Sequence, residues 1–465
     1  MANPRAAGRD CTVGSIPRHL VAIALPMLIG NLIQSGYTII DAIWVGRTVG
    51  NAAMGGIAVS FPVLFLFIAV AAGVTMATTI LISQYYGAGN HEQVKKTIGT
   101  SFLFALMIGS VISVVGFFST DAILRLLNTP ESVIAVASIY LKINFGGFLI
   151  MYSGFLIGSI LRGIGDSRTP LYFMIIGVVI NAILDPFFII GVGPFPRMGL
   201  AGAAVASIIG QLVASITGYM YLLKKGNIVA IKFRDMVWDT PLIKKILVIG
   251  FPSMLQQSAI SLGMATITSI VNGFGESVVA AFGAAGRIDT VSYFPAMSIG
   301  MSVSILSGQN IGAKKYDRVH SVFRWGVIMT LMISTVNTVL YFTLPRLMMS
   351  AFVKDEEVIS IGAMYLRILG PASMMFAIAF VSNGVINGAG HTKMTLFFTL
   401  FALWCVRVPV IIWLSKTSLG VTGIWVGSAI GFAALMIVSV GWYKTGRWKR
   451  TVINPMERMR PQGKE

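Results

Sequence analysis

Three acids stand inside long apolar blocks of this chain: Asp41, Asp185 and Asp289. A carboxyl within a bilayer costs several kcal/mol unless it is paired or hydrated, so its first reading is functional. Asp41 closes a polar stripe of Asn31, Gln34, Ser35, Thr38 and Asp41, spaced by three and four residues and therefore on one helical face, with Tyr37 at its border. Asn181 and Asp185 share a face in the same way, and Pro186 follows at once and disturbs the helix locally. Two carboxyls, an amide and a phenol suit reversible binding of a proton or a cation. Removal from water, and a second carboxylate nearby, favour the neutral acid and allow proton exchange near neutral pH. The plainer alternative is that Asp41 caps the outer end of its helix and Asp185 bonds only Asn181. Asp289 is more ambiguous: Arg287, two residues away, lies on another face, while Arg407 in a later block is an alternative partner. A structural ion pair and a coupling site both stay open there. Lys142 and Arg367 are read as structural, snorkelling or bonded to carbonyls.

The elements that hold these residues follow from composition. Of 465 residues, 55% are hydrophobic and 11% charged, against about 25% charged in an ordinary soluble domain; mean hydropathy is +0.81. A soluble fold is excluded. Spans are expected near residues 18–43, 56–83, 97–118, 134–161, 170–192, 200–223, 246–270, 280–306, 322–344, 358–386, 395–415 and 420–443. They must be helices, because a barrel would show short alternating strands. The fold class is thus all-α integral membrane, with twelve transmembrane helices. A net charge of +18 suggests nucleic acid only until its location is seen, since the basic residues fill loops unevenly. Arg47, Arg125, Arg197, Arg346, Lys354 and Lys416 fall on one side and the other loop and tail cations on the opposite side, which puts both termini in the cytoplasm. The first apolar run is too long for a signal peptide and shows no cleavage site, so it is read as a retained helix.

An internal repeat organises the chain. Gln84-Tyr85-Tyr86-Gly87-Ala88 maps onto Gln309-Asn310-Ile311-Gly312-Ala313, Tyr140-Leu141-Lys142-Ile143 onto Tyr365-Leu366-Arg367-Ile368, and Gly163 to Arg168 onto Gly388 to Lys393, all at one offset. Equivalent points are six spans apart, so the halves have the same orientation and are related by a pseudo-two-fold axis along the membrane normal. The expected division is an N-lobe over 1–223, a cytoplasmic linker over 224–245, a C-lobe over 246–443 and a basic tail over 444–465. Pro26 and Pro252 each open a lobe's first helix, and Pro26 is the candidate hinge that would move the face of Asp41. Gly154/Gly158 and Gly423/Gly427/Gly431 read as close helix packing. No G-x-S-x-G, Walker A, H-E-x-x-H or dinucleotide loop is present, so no enzyme is expected and no organic cofactor. The four histidines lie at loops or span ends, and Cys11 and Cys405 are too far apart to bridge, so no metal site or disulfide is expected.

Taken together, Asp41, the loop Gln84 to Gly89 with its echo Gln309 to Ala313, the loop Leu161 to Asp166, and Asn181-Ala182-Ile183-Leu184-Asp185-Pro186 resemble the multidrug and toxic compound extrusion (MATE) family. The resemblance implies two six-helix lobes in a V, export of organic cations and drugs by alternating access, and coupling to protons or sodium. Asp41, Asn181 and Asp185 match the family's N-lobe ion and proton site, with Gln34 and Tyr37 as further members. The NorM-like branch carries acids in the seventh and tenth helices, where this chain has Gln256 and Gln257 and no acid in the tenth beyond Glu356 and Glu357. That departure favours the DinF-like branch and proton coupling, with Asp289 as the residue a C-lobe sodium site would need. The expected partners are small organic cations or drugs and the lipid bilayer of an inner membrane, with no nucleic acid, for a monomer. A lipid-linked oligosaccharide flippase of the same fold is the alternative; it would need Lys142, Arg287, Arg367 and Arg407 to converge on a diphosphate.

Overall fold

A computed structural model describes residues 8–48, 50–193, 195–223, 229–230 and 236–449. Lys224, Lys225, Lys232, Arg234 and Asp235 of the expected linker, and the tail after Lys449, lie outside the described residues. Among those described, twelve helices are long and apolar enough to cross a membrane. They are built from α1 (Ile16–Thr48), α2 (Asn51–Gly87), α3 (His91–Leu126), α4 (Glu131–Gly163), α5 (Arg168–Pro186), α6 (Leu200–Leu223), α7 (Thr240–Asn272), α8 (Glu276–Gly312), α9 (Tyr316–Thr343), the short α10 (Pro345–Ser350), α11 (Glu356–Gly388), α12 (Thr392–Leu400), α13 (Val408–Ser415) and α14 (Val421–Lys444). The tenth span is α11, and α12 and α13 together make the eleventh.

The helices outrun the apolar segments that predict them. α2 and α8 have 37 residues each, roughly 55 Å of helix, against a hydrocarbon core of about 30 Å. Once a helix is nucleated each added residue gains a hydrogen bond, so it continues into polar sequence such as Gln84 and Gln309 until a cap stops it. Local sequence supplies those caps: the Asn90 side chain accepts from the Gln93 amide at the start of α3, and Asp355 accepts from the Glu357 and Val358 amides at the start of α11. Two spans change pitch, one at its end and one in its middle. A π-helical segment, Phe187–Gly191, follows α5 directly after Pro186, and another, Phe401–Arg407, joins α12 to α13 just before Pro409. Pro409 lacks the N–H that would close a regular turn on the Cys405 carbonyl, and a π-turn is one way the chain absorbs that loss.

By internal contacts the chain divides into two compact units. The first comprises Pro26–Tyr86 and Asn90–Met254; the second comprises Asp10–Leu25, Gly87–Gly89 and the chain from Leu255. This grouping differs in three places from the expected division at 224–245: Asp10–Leu25 and Gly87–Gly89 fall in the second unit, and the first unit runs on to Met254. In the second unit the Cys11 amide donates to Gln309 Oε1 at 2.9 Å, Asn310 Nδ2 donates to the Cys11 carbonyl at 3.2 Å, and Lys315 Nζ donates to the Thr12 carbonyl at 2.9 Å. Ser302 Oγ then holds the Leu20 carbonyl at 3.2 Å. Cys11 is buried and unbridged. In the first unit the Val237 carbonyl accepts from Thr100 Oγ1 at 3.0 Å, and Asp239 accepts the Leu242 amide at 2.8 Å while pairing with Lys96. Tyr85 near the end of α2 and its repeat equivalent Asn310 in α8, with Gln309, are therefore partly docking groups, since Lys245 Nζ reaches the Tyr85 hydroxyl at 3.3 Å.

Glycines set the helix spacing. A Cβ added to Gly423, Gly427 or Gly431 of α14 would come within 3 Å of Leu414, Ile411 or Arg407 respectively, the close antiparallel contact expected of that series.

Asp239 yields a stability prediction. Partial burial pushes its carboxyl up, but Lys96 and the Leu242 amide outweigh this and hold it below the usual carboxylate range. A lowered folded pKa contributes stability above the unfolded value, near pH 4, that is lost as pH falls through the folded one. With Lys96 well exposed, Asp239→Asn, which keeps the capping oxygen, should cost about 0.2–1 kcal/mol at pH 7 from the ion pair. Thermal unfolding of purified protein at pH 7 and at pH 3 should show the difference from wild type shrinking at the lower pH.

Candidate functional site

The first unit gathers four of the predicted residues into one polar cluster. α5 and α6 approach closely because Gly177 faces Gly210: a Cβ on Gly210 would lie 2.5 Å from the Gly177 carbonyl oxygen and 3.3 Å from the Asn181 Cβ. That contact sets Asn181 and Asp185, 3% and 0% exposed, beside Ser207 of α6. Asn181 Nδ2 donates to Asp185 Oδ1 at 3.3 Å and to Ser207 Oγ at 3.2 Å. Ser207 in turn shares a 2.6 Å hydrogen bond with the Tyr37 hydroxyl of α1. Tyr37 and Asp41 are one turn apart on α1, and the Asp41 charge acts on Tyr37, on Tyr140 of α4 and on Asp185. A satellite core of Val45, Ala53, Ile189, Leu200 and Ala203 packs the neighbouring helix ends.

What this cluster lacks is donors. Asp41 Oδ1, Asp185 Oδ2 and Asn181 Oδ1 are buried with no hydrogen-bond partner. An unsatisfied acceptor in an apolar setting costs about 1–3 kcal/mol, more when charged, and a carboxylate oxygen is satisfied only by a donor or a cation. Two carboxylate oxygens and one amide oxygen without donors form an acceptor-rich cluster, which a proton on a carboxyl, a metal cation or the ammonium of a solute has the chemistry to complete.

The remaining predicted members are placed differently. Gln34 and Thr38 are exposed, and the Thr38 hydroxyl is spent on the Gln34 carbonyl of its own helix at 3.0 Å. Asn31 is half-buried. Two participants escaped sequence reading, Ser207 and Tyr140. Ser207 sits in a run of small residues that looks like packing alone, whereas Tyr140 was visible in the repeat, without any hint that it faces Asp41. Pro26 lies inside an unbroken α1, where it leaves the Ala22 carbonyl without its usual donor, and the two compact units part between Leu25 and Pro26.

The cations a diphosphate would require have separate surroundings. Lys142 is paired with Asp121 at 2.7 Å, while Arg287 and Arg367 are exposed. Arg407 Nη2 donates to Ser428 at 3.1 Å. Asp289 is within electrostatic reach of Arg407 and faces the Tyr365 hydroxyl. Gln256, at a place where an acid would make a cation site, has its amide donated to Thr399 Oγ1 at 2.7 Å. Among the described residues no group of three or more His, Cys, Asp or Glu could hold a metal ion.

Comparison with known proteins agrees with the repeat. The family model described as MatE matches twice, over residues 26–187 and 252–413, starting each time at a proline. The probable multidrug resistance protein YoeA of Bacillus subtilis is 32% identical over 445 residues, covering 94% of this chain and 96% of that protein. An FAD transporter of Shewanella oneidensis is 26% identical, covering 85% of this chain and 87% of its own length. A solved structure described as the outward-facing conformation of a multidrug resistance MATE family transporter of the MOP superfamily superposes with a TM-score of 0.87 at 25% identity, covering 94% of this chain and 97% of that one.

Gly210 is the packing control of the cluster. Gly210→Leu should push α5 from α6, cost about 1–3 kcal/mol and weaken binding of a fluorescent organic cation at least about tenfold by displacing Asn181. Gly146→Leu, with nothing within 4 Å of the added Cβ, should stay within about 0.5 kcal/mol of wild type. Thermal unfolding and fluorescence titration of the two purified variants separate these outcomes.

Proposed function

Because the chain belongs to the multidrug and toxic compound extrusion family, a family of multi-pass membrane transporters, we propose that it exports organic cations and drugs by proton-coupled antiport, with Asp41 and Asp185 as the coupling groups. The observation that carries this reading is the donor-poor cluster: Asp41, Asp185 and Asn181 each keep a buried oxygen without a partner. Proton and substrate offer alternative ways of supplying the missing positive charge. They therefore compete, and linkage requires protonation to weaken substrate binding by the factor with which substrate weakens protonation. Exchange of one proton for one monovalent cation is electroneutral and is driven by the pH gradient, each unit of which supplies about 1.4 kcal/mol.

Pro26 is the hinge of this scheme. A helix that lacks one backbone hydrogen bond bends there at least cost, and bending moves the face that carries Tyr37 and Asp41, opening or closing the Tyr37–Ser207–Asn181–Asp185 chain. The absence of an acid at Gln256 and the bonding of that amide to Thr399 support the DinF-like branch and protons over sodium. The basic bias of the loops supports cytoplasmic termini in an inner membrane, and one chain with a complete acid cluster supports a functional monomer. The flippase reading is disfavoured by the pairing of Lys142 with Asp121 and the bonding of Arg407 to Ser428.

Purified protein in liposomes, loaded with a fluorescent organic cation and given a proton gradient or a sodium gradient separately, tests this. Flux should follow the proton gradient, and Asp41→Asn or Asp185→Asn should lower it at least about 100-fold and abolish its dependence on pH. Sodium-driven flux, or variants that transport as wild type does with the same pH dependence, would overturn the proposal.

A further inference from the structure

The short segment ahead of α1 is gripped by side chains of the second unit. Four successive backbone carbonyls, those of Cys11, Thr12, Val13 and Gly14, each accept a side-chain hydrogen bond. Arg318, in the first turn of α9, does most of this: Nη2 donates to the Cys11 carbonyl at 3.2 Å and to the Gly14 carbonyl at 3.1 Å, and Nε donates to Asn310 Oδ1 at 3.1 Å. Asn310, held by that bond, donates through Nδ2 to the Cys11 carbonyl, and Gln309 Oε1 takes the Cys11 amide. Lys315 Nζ covers the Thr12 carbonyl, and His19 Nε2 lies 2.8 Å from that of Val13. Cys11, Gln309 and Asn310 are fully buried. A cation on a carbonyl makes the stronger kind of hydrogen bond, and a planar guanidinium fixes several acceptors at once, so the segment is clamped in one geometry.

The consequence follows from where the clamp stands in the chain. The second unit takes in the chain at Asp10 and gives it up after Leu25, inside α1, which runs unbroken from Ile16 to Thr48. Ile16, Leu20 and Ile23 of that stretch are buried, and Ser302 Oγ holds the Leu20 carbonyl. The start of α1 is thus a fixture of the second unit, whereas Tyr37 and Asp41 on the same helix belong to the first. Movement of one unit against the other is delivered to this helix and absorbed where it is one hydrogen bond short, at Pro26. We propose that Arg318, Asn310, Gln309 and Lys315 are positioning residues of transport: they anchor the start of α1 to the second unit, so that movement of that unit bends α1 at Pro26 and shifts the face of Asp41. The proposal rests on the transport reading and adds to it the link that drives the hinge.

Cys11 and Cys405 are the two cysteines of the chain, and Cys11 is buried in the clamp. In the full chain carrying Cys405→Ser, maleimide labelling of Cys11 therefore reads the clamp directly, beside gradient-driven flux of a fluorescent organic cation in liposomes and its equilibrium binding. Arg318→Gln should speed the labelling at least about tenfold by local opening. It should lower the turnover of flux at least about fivefold and leave the Kd of the cation within about twofold, because the clamp touches no residue of the acid cluster. Arg318→Lys, which keeps the charge and loses the planar fork, should fall between. In the parent labelling should stay slow with or without flux, as an anchor requires. Unchanged turnover in Arg318→Gln, or an equal loss of binding and turnover, would overturn the proposal. So would labelling of the parent that rises whenever flux begins, since the segment would then be letting go. If Arg318→Gln does not fold, Lys315→Gln, which removes only the bonds to Thr12, must show the same split in smaller measure. Flux driven by sodium in place of protons would remove the proton reading, and the same comparison under a sodium gradient would still decide the clamp. An absence of any gradient-driven flux would remove both.

Discussion

A bilayer interior offers no water, so every polar group in it must find its partner within the protein. That constraint turns each span into a helix, which satisfies its own backbone, and makes each polar side chain inside a span either a contact or a cost. Hydroxyls meet it by bonding backwards along their own helix, as Thr38 does to Gln34 and Thr330 to Gly326. Residues that cannot do so locally must be met by a neighbouring helix. The approach of α5 to α6 at Gly177 and Gly210 is what lets Asn181 meet Ser207, and the same logic brings Arg407 to Ser428 across Gly431. Where partners run out, as at Asp41 and Asp185, a carboxyl oxygen is left buried without a donor.

The two units answer this constraint with one scaffold and different chemistry. Tyr140 and Tyr365 are repeat equivalents; the first lies within electrostatic reach of Asp41, and the second bonds Asp289. Pro186 and Pro409 each adjoin a π-helical segment. Around these shared features the first unit collects carboxyls and an amide, while the second sets the Arg407 guanidinium over the Phe432 ring. The second unit's apolar core buries Trp425 and stacks it on Phe282.

Polar docking at the helix ends serves a different purpose from the membrane clusters. Cys11 and Thr12 are held by Gln309, Asn310 and Lys315, and Asp239 by Lys96. These bonds fix the chain just before α1 and α7. A proline follows inside each of those helices, Pro26 and Pro252, so a secured end is succeeded by a turn that is short of a hydrogen bond. Such a sequence of firm and weak segments concentrates bending at a defined point.

Composition and loop charge were enough to establish the membrane class, the twelve spans and their helical nature, because apolar length and the demand of the backbone admit no other solution. The repeat was legible through Gln84/Gln309 and Tyr140/Tyr365, and four site residues, Tyr37, Asp41, Asn181 and Asp185, were legible because an acid in an apolar block is conspicuous and its helical neighbours follow from spacing. Only the tertiary structure decided which of them meet. Gln34 and Thr38 share the stripe of Asp41 and yet stay exposed, since helical spacing defines a face but not what that face packs against. Ser207, a small residue among small residues, became a link between Tyr37 and Asn181 only through the glycine contact of α5 with α6. The pairing of Lys142 with Asp121, the position of Arg407 over Phe432 and the docking of Cys11 onto Gln309 likewise join residues 21, 25 and 298 positions apart. Partners across such separations are selected by how helices pack, and packing depends on the shape of whole surfaces, which residue spacing along one strand of sequence does not encode.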